Sequence, residues 1–335
     1  DMRPSKTTLA AVEEKQMRIA MPAAALSALA SVFALAGASL AADLVIAEPN
    51  WPSGRATAHI VSAAIEREFG LDVETRELGT LTAFAGLDSG EVDIHPEVWR
   101  PNLDDLIKRY AVDRGSVTVS LFGVPAWQGL CATPDAAAAG LRDVKDLSDP
   151  QKTAMLDTDG DGQGEMWVGA ATWSSTGIEK VRANSYGYAK NLTLVEAEED
   201  VGMAAVDAAV ATARPMVFAC YAPHHVFKLH DIVRLSEPDY DRTKWNIVSP
   251  AVDPLWISKS SAPVAWNIAH FHIAYATALA TKRPEVAAFL EKIDFTPAEI
   301  TAMTYALQVD RVEPEALAAQ WIGAHEQRVK GWAKP

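Results

Sequence analysis

Cysteine is nearly absent from this chain of 335 residues: Cys131 and Cys220 are the whole complement. One disulfide is the most that can form, and a pair or two buried thiols both remain open. Basic residues are in deficit, 30 against 44 acidic, which leaves a formal charge of −14. Coulomb repulsion then opposes binding to nucleic acid and to anionic membrane surfaces. Long apolar runs are scarce beyond residue 41. The stretch 262–281 is interrupted by Asn267, His270 and His272, so it reads as a buried helix and not as a membrane span. Catalytic signatures are missing too: there is no HExxH, nucleophile elbow, Walker loop or dinucleotide glycine pattern. The pair His224-His225 has no such company and reads as a polar helix start. The expectation is a protein that is not an enzyme.

The N-terminus does carry a signal. Met17-Arg18 precedes an uncharged, Ala- and Leu-rich run from Met21 to Leu40, which ends in Ser39-Leu40-Ala41. A basic start, an apolar middle and a small-x-small exit describe a secretory signal peptide. The alternative is an anchor, since a bilayer span needs about 20 residues. The alanine content and the well-formed cleavage site favour the signal. Residues 1–41 are therefore set aside as leader and signal peptide, and the remainder is expected in the periplasm. No cysteine stands at the exit, so no lipid anchor is expected.

Beyond the signal the pattern is β-loop-α-β-α-β. A strand at Asp43–Ala47 leads into the turn-rich Glu48–Gly54. A helix follows to Phe69, then a strand at 71–76, a helix at 81–88 and a strand at 92–95. Such alternation builds an open, doubly wound sheet, whose ligands sit beyond the carboxyl ends of the strands. The strands 116–122 and 127–132 come next. Later come a helix from about 176, a strand at 192–195, a helix at 201–213 and a strand at 216–221. The final third reads as helical over 262–280, 284–292, 297–308 and 313–330. Two α/β lobes follow from this order: one from 42–122 plus 241–335, the other from 123–240. Two chain crossings form the hinge, with a ligand cleft between the lobes.

Ten tryptophans are many for this length. Trp51, Trp99, Trp127 and Trp173 all stand in loops rich in Pro, Gly or Ser. A single such indole is more often a core plug. Four at strand-to-loop positions make a shared aromatic pocket the better account. Aromatic faces suit a quaternary ammonium, which carries diffuse charge and no N–H donor; each cation–π contact contributes roughly 0.5–2 kcal/mol. Glu48, three residues before Trp51, is placed to add long-range attraction, and an ordinary surface carboxylate is its equal alternative.

Several segments, in this order and spacing, carry a family resemblance: Val-Asp-Ile-His-Pro-Glu-Val-Trp99, Gln128-Gly-Leu, Leu156-Asp-Thr-Asp-Gly-Asp-Gly162, Thr172-Trp-Ser-Ser-Thr-Gly177, Phe218-Ala-Cys-Tyr-Ala-Pro223 and Trp321–Trp332. Over about 43–332 the chain resembles the glycine betaine/proline betaine-binding components of ABC transporters, of the ProX/OpuAC type. The resemblance implies a type II periplasmic binding protein fold. It also implies an aromatic box for a methylated-ammonium solute, with Trp99 and Trp51 from one lobe and Trp173 and Tyr221 from the other. Trp127 is a weaker member. The backbone N–H groups of Ser174 and Ser175, at a helix start, would bind the solute's oxygen end. The implied partners are a membrane permease and its separate ATPase, with the protein itself a monomer. One departure stands out: Trp99-Arg-Pro-Asn102-Leu103 lacks the histidine that helps hold the carboxylate in betaine binders. Choline, carnitine, dimethylsulfoniopropionate and trimethylamine N-oxide therefore stay open beside the betaines.

The run Asp157-Thr-Asp159-Gly-Asp161-Gly162-Gln163-Gly-Glu165 has the DxDxDG spacing of a calcium loop. Position twelve is Val168, not the bidentate Glu of an EF-hand, so a complete EF-hand is excluded. A looser structural calcium site on Asp157, Asp159, Asp161, Gln163 and Glu165, or a metal-free Asx-turn loop, are the two readings. No other cofactor is expected.

Overall fold

The computed structural model describes residues 42–334, so the expected signal peptide lies outside the described residues. In chain order come β1 (Leu44–Glu48), α1 (Pro52–Phe69), β2 (Val73–Glu77), α2 (Thr80–Ser89), β3 (Ile94–Arg100) and β4 (Val117–Ala132). Then follow β5 (Gly164–Gly169), α3 (Ser174–Tyr186), β6 (Leu192–Glu196), α4 (Glu199–Ala211), β7 (Val217–Ala222) and β8 (Val233–Arg234). The chain closes with β9 (Ala269–Ala276), α5 (Pro297–Gln308), α6 (Pro314–Ala324) and α7 (Glu326–Ala333), with shorter helical turns between these elements.

Local chemistry sets several boundaries. Pro52 opens α1, where its missing N–H costs nothing, and Gly70 closes it at φ 67° in the left-handed region. Thr296 and Glu299 form a capping box at the start of α5.

The strands run in the order β2-β1-β3-β9-β4-β7-β5-β6, with β8 also on β4. β1 pairs in parallel with β2 and β3, and β5 pairs in parallel with β6 and β7. These two parallel wings meet through an antiparallel centre. β9 lies antiparallel between β3 and β4. The long β4 then leaves β9 at Ala126 and takes up β7 from Trp127 onward. Gly123 lies where β4 and β9 shift register. A Cβ there would stand 2.5 Å from the His272 ring, so no larger residue fits.

Each wing has its own core. Ile46, Ile60, Ile94, Phe271 and Phe289 belong to one cluster, which includes α1, α5 and α6. Leu130, Met166, Tyr188 and Val217 belong to another, on the far wing. This is the α/β architecture expected from the alternation of elements. Cys131 and Cys220 are joined by a disulfide that ties β4 to β7.

Three expectations change. The stretch 262–280 is not a helix: Ala269–Ala276 is the central strand β9. From Ala269 the polar His270 and His272 alternate with Phe271 and Ile273, the period of a strand, and pairing on both edges decides it. The two strands expected at 116–122 and 127–132 are one unbroken strand, Val117–Ala132. Finally, segment 241–266, expected with the first lobe, packs on α3 of the far wing: Ala262 N–H donates to Ser185 Oγ, and the Trp266 indole donates to Glu179. Arg182, fully buried, ties this segment down through Glu179, Glu237 and the Val264 carbonyl.

Candidate functional site: an aromatic pocket between the two wings

The carboxyl ends of β1 and β3 face those of β5 and β7 across the handover point of β4. Six expected residues meet there. Trp51, Trp99, Trp173, Ser174, Ser175 and Tyr221 line one cavity of about 440 Å³, its open mouth included. Thr80, Asn102, Leu103 and Gln128 complete the lining.

Four rings stand nearly at right angles around this space. Trp51 and Trp173 have centroids 6.2 Å apart at 87°. Trp99 and Tyr221 are 5.4 Å apart at 81°, and Trp173 and Tyr221 are 6.2 Å apart at 79°. Perpendicular rings give each neighbour an edge and leave faces free for a ligand. Gly54 makes room for Trp51, because a Cβ at that position would lie 2.9 Å from the indole nitrogen.

The polar tips of these rings end on buried acids. Trp51 Nε1 and Trp99 Nε1 both donate to Glu97 Oε1, at 2.8 and 2.7 Å, and Ser53 Oγ donates to the same oxygen. Tyr221 OH donates to Glu199 Oε1 at 2.8 Å. His224 meets that oxygen through Nε2 at 2.7 Å. Its Nδ1 accepts the Val226 N–H, so the neutral ring carries its proton on Nε2 and donates it to Glu199. Both carboxyls are essentially inaccessible to water. Loss of hydration is the largest influence on each. It pushes Glu97 up to about 7 and Glu199 up to about 8, against the pull of the hydrogen bonds they accept. Burial likewise pushes His224 down to about 3.

Trp173 is held differently. Its Nε1 donates across the cleft to Asn50 Oδ1 at 3.1 Å, while Asn50 Nδ2 donates to Glu198 Oε2 at 2.7 Å. Asn102 and Gln128 exchange two amide hydrogen bonds, each of 2.7 Å.

Two expected residues lie elsewhere. Trp127 neighbours Gln128 on a strand, and alternation sends their side chains to opposite faces. Gln128 takes the pocket, so Trp127 packs against Phe227 and under Arg234. Glu48 is bound to Arg55 Nε at 3.0 Å and His59 Nε2 at 3.1 Å. Burial alone would raise it, but His59 and Arg55 outweigh that and hold it below the usual carboxylate range. Four lining residues and both buried acids escaped the sequence reading. Glu97 had a visible signal: it stands two residues before Trp99 on a strand, hence on the same face. Glu199 sits in Glu198-Glu199-Asp200, which looks like any solvated helix start.

The acidic loop lies at the opposite end of β5 from the pocket. Asp157, Asp159, Asp161 and Glu165 bring one carboxylate oxygen each within 4.8 Å of the others, a set suited to a hard cation. The same carboxylates also accept backbone N–H groups of the loop, from Thr158, Gly160, Asp161, Gly162 and Gln163. Gln163 turns instead to Thr193.

A cleft between two α/β wings, walled by aromatics from both, is the geometry of a solute-binding protein of the type II periplasmic binding fold. Residues 42–324 match the family model for the substrate-binding domain of ABC-type glycine betaine transport systems, and the chain belongs to that family. It is 22% identical over 286 residues to the glycine betaine/proline betaine-binding periplasmic protein of Salmonella typhimurium, covering 82% of this chain and 84% of that one. Among solved structures, an ABC-transporter choline binding protein in complex with choline superposes with TM-score 0.68 at 19% identity, covering 86% of this chain and 90% of the other. Lactococcal OpuAC, closed around glycine betaine, superposes with TM-score 0.66 at 20% identity, over 87% and 99%. The protein is thus the substrate-binding component of an ABC transporter. Among the described residues, no helix is long and apolar enough to cross a membrane.

Proposed function

We propose that this protein captures a small methylated-ammonium solute in the periplasm, glycine betaine or proline betaine being the expected cargo. Choline, carnitine, dimethylsulfoniopropionate and trimethylamine N-oxide would use the same walls. The observation that carries this reading is the set of four rings, neighbouring pairs of them near right angles, around a cavity whose lining has no Lys, Arg or His. Such walls offer quadrupole potential to a cation that cannot donate hydrogen bonds. Ser174 and Ser175 open α3, where the first N–H groups lack intrahelical partners and suit an oxygen of the solute.

Capture proceeds by closure. The solute docks on the rings of one wing, and the other wing rotates to complete the enclosure, which shifts the population toward the closed form. That form, a monomer, is what a membrane permease with a separate ATPase would recognise. Isothermal titration with the six solutes tests the proposal. At least one is expected to bind more tightly than about 100 μM, some −5 to −6 kcal/mol; six failures would discard the ligand class.

The acidic loop supports a second, lesser reading, a structural calcium site, since Glu165 Oε1 is buried with no hydrogen-bond partner. Calcium is then expected to raise the melting temperature by a few degrees and to leave solute affinity unmoved. An unmoved melting temperature would remove the site.

A further inference from the structure

Glu97 and Glu199 do more than orient rings. We propose that these two buried acids, one behind each wall of the pocket, make it select solutes of net positive charge over zwitterions. The inference rests on the methylated-ammonium reading above and narrows it, moving the expected cargo from the zwitterionic betaines to a net cation such as choline.

The geometry carries the argument. Each carboxyl spends one oxygen on the polar tips of the pocket aromatics, and the other oxygen, Oε2, is buried without a partner in both residues. The spare oxygens are therefore negative potential that the protein does not itself consume. Glu97 is faced by Trp51, by Ser53 of α1 and by Trp99 of its own strand, all as hydrogen-bond donors. On β3 its own N–H meets Nδ1 of His95, a ring that burial keeps neutral. Across the pocket stands Glu199, whose charge raises Glu97 further. Glu199 is faced by Tyr221 and neutral His224, by Asp200 on its own helix and by Arg55 of α1. Arg55 is already paired with Glu48. Neither acid thus has an ion-pair partner among the described residues.

A trimethylated cation entering between the rings supplies the missing positive charge. A zwitterion brings its own carboxylate into the same acidic field, where attraction at one end is opposed by repulsion at the other. Because burial holds both acids partly protonated near neutral pH, an arriving cation also pulls them toward ionisation, and protons leave. A purely structural role would give a different result: if the acids only aim indole and phenol tips, their loss would weaken every ligand alike.

The test compares choline with glycine betaine by isothermal titration at pH 7.5, in two buffers of different ionisation enthalpy. For the unaltered protein, choline is expected to release a sizeable fraction of a proton and glycine betaine much less. Glu97→Gln and Glu199→Gln keep an oxygen acceptor for the ring tips and remove the charge. Each is expected to lower the choline-to-betaine affinity ratio by about tenfold, as one partly screened charge at ring distance should, and the double variant to abolish choline-linked proton release. Equal proton release for both solutes in the unaltered protein, or an unchanged ratio in both folded variants, would overturn the charge filter while leaving the aromatic pocket intact. Failure of every methylated ammonium to bind the unaltered protein would overturn both.

Discussion

On the β1–β3 side of the pocket, Trp51 and Trp99 give both indole N–H groups to one carboxylate of their own wing, Glu97. On the β5–β7 side, Tyr221 likewise rests on its own acid, Glu199, but Trp173 reaches across the cleft to Asn50. The first wall is therefore aimed by contacts that survive separation of the wings. The second is only half preset, because Trp173 has its partner when the wings are together. Burial does not follow the same division: Trp99 is 8% exposed and packs on Phe271, whereas Trp51 on the same wall is half-buried, as Trp173 and Tyr221 are opposite. Preset walls favour fast docking, and a conditional wall couples capture to closure.

The sharpest way to break this comparison is to truncate one indole on each side. Trp99→Ala is expected to weaken solute binding by at least about 30-fold, and to cost about 3–5 kcal/mol of stability as a core truncation does. Trp173→Ala is expected to match the affinity loss with little loss of stability. Titration and denaturant unfolding read both, and equal stability losses would erase the distinction.

Next in size is the staple peculiar to the second wall. The Cys131–Cys220 bridge closes a long loop, with a sequence separation of 89. Replacing both cysteines by Ala is expected to cost about 2–4 kcal/mol, and hydrogen exchange should rise in β4, β5 and β7 before β1 and β3. Uniform exchange would show that the wings share their stability.

Removing the bridge between walls should do less. Asn50→Ala deletes the acceptor for Trp173 and the donor to Glu198, a loss of about 1 kcal/mol or some fivefold in affinity. Fluorescence of Trp173 should change while unfolding does not.

The smallest effect is in pH. Glu97 and Glu199 are pushed by burial to about 7 and about 8, so they favour folding in acid, fully below 4.5, and lose that contribution as pH rises from there through 7 and 8. His95, His224 and His225 are depressed to about 4, 3 and 3, so their contribution is present above 6.5 and lost below it. Together these groups place maximal stability near pH 6.5, and Glu97→Gln should flatten the alkaline fall. A melting-temperature profile that keeps rising to pH 8 would contradict this.

Much of this was legible in the sequence for identifiable reasons. The β-α alternation to residue 100 and the helix 297–308 rest on local pattern; Trp51, Trp99 and Trp173 were marked by their strand-to-loop positions, and Tyr221 joined them only through the family resemblance. Strand β9 was missed because its alternation of His270 and His272 with Ala269, Phe271 and Ile273 covers only five residues, and the buried Ala274–Ala276 that follows carries no period. Trp127 misled because an indole in a Pro-Gly context looks the same whichever face of β4 it takes. The adjacent Gln128, small in appearance and decisive in orientation, was the residue that told them apart. Glu97 was readable from its spacing to Trp99; Glu199 needed the fold, since its neighbours in space, Tyr221 and His224, lie more than twenty residues away.

The most direct measurement is the structure of the protein at saturating choline or glycine betaine. The methylated nitrogen is expected within about 6 Å of the ring centroids of Trp51, Trp99, Trp173 and Tyr221, with Asn50 still joined to Trp173. Density for the solute elsewhere, such as the groove between Trp127, Pro223 and Pro297, with the four rings left bare, would contradict the central claim.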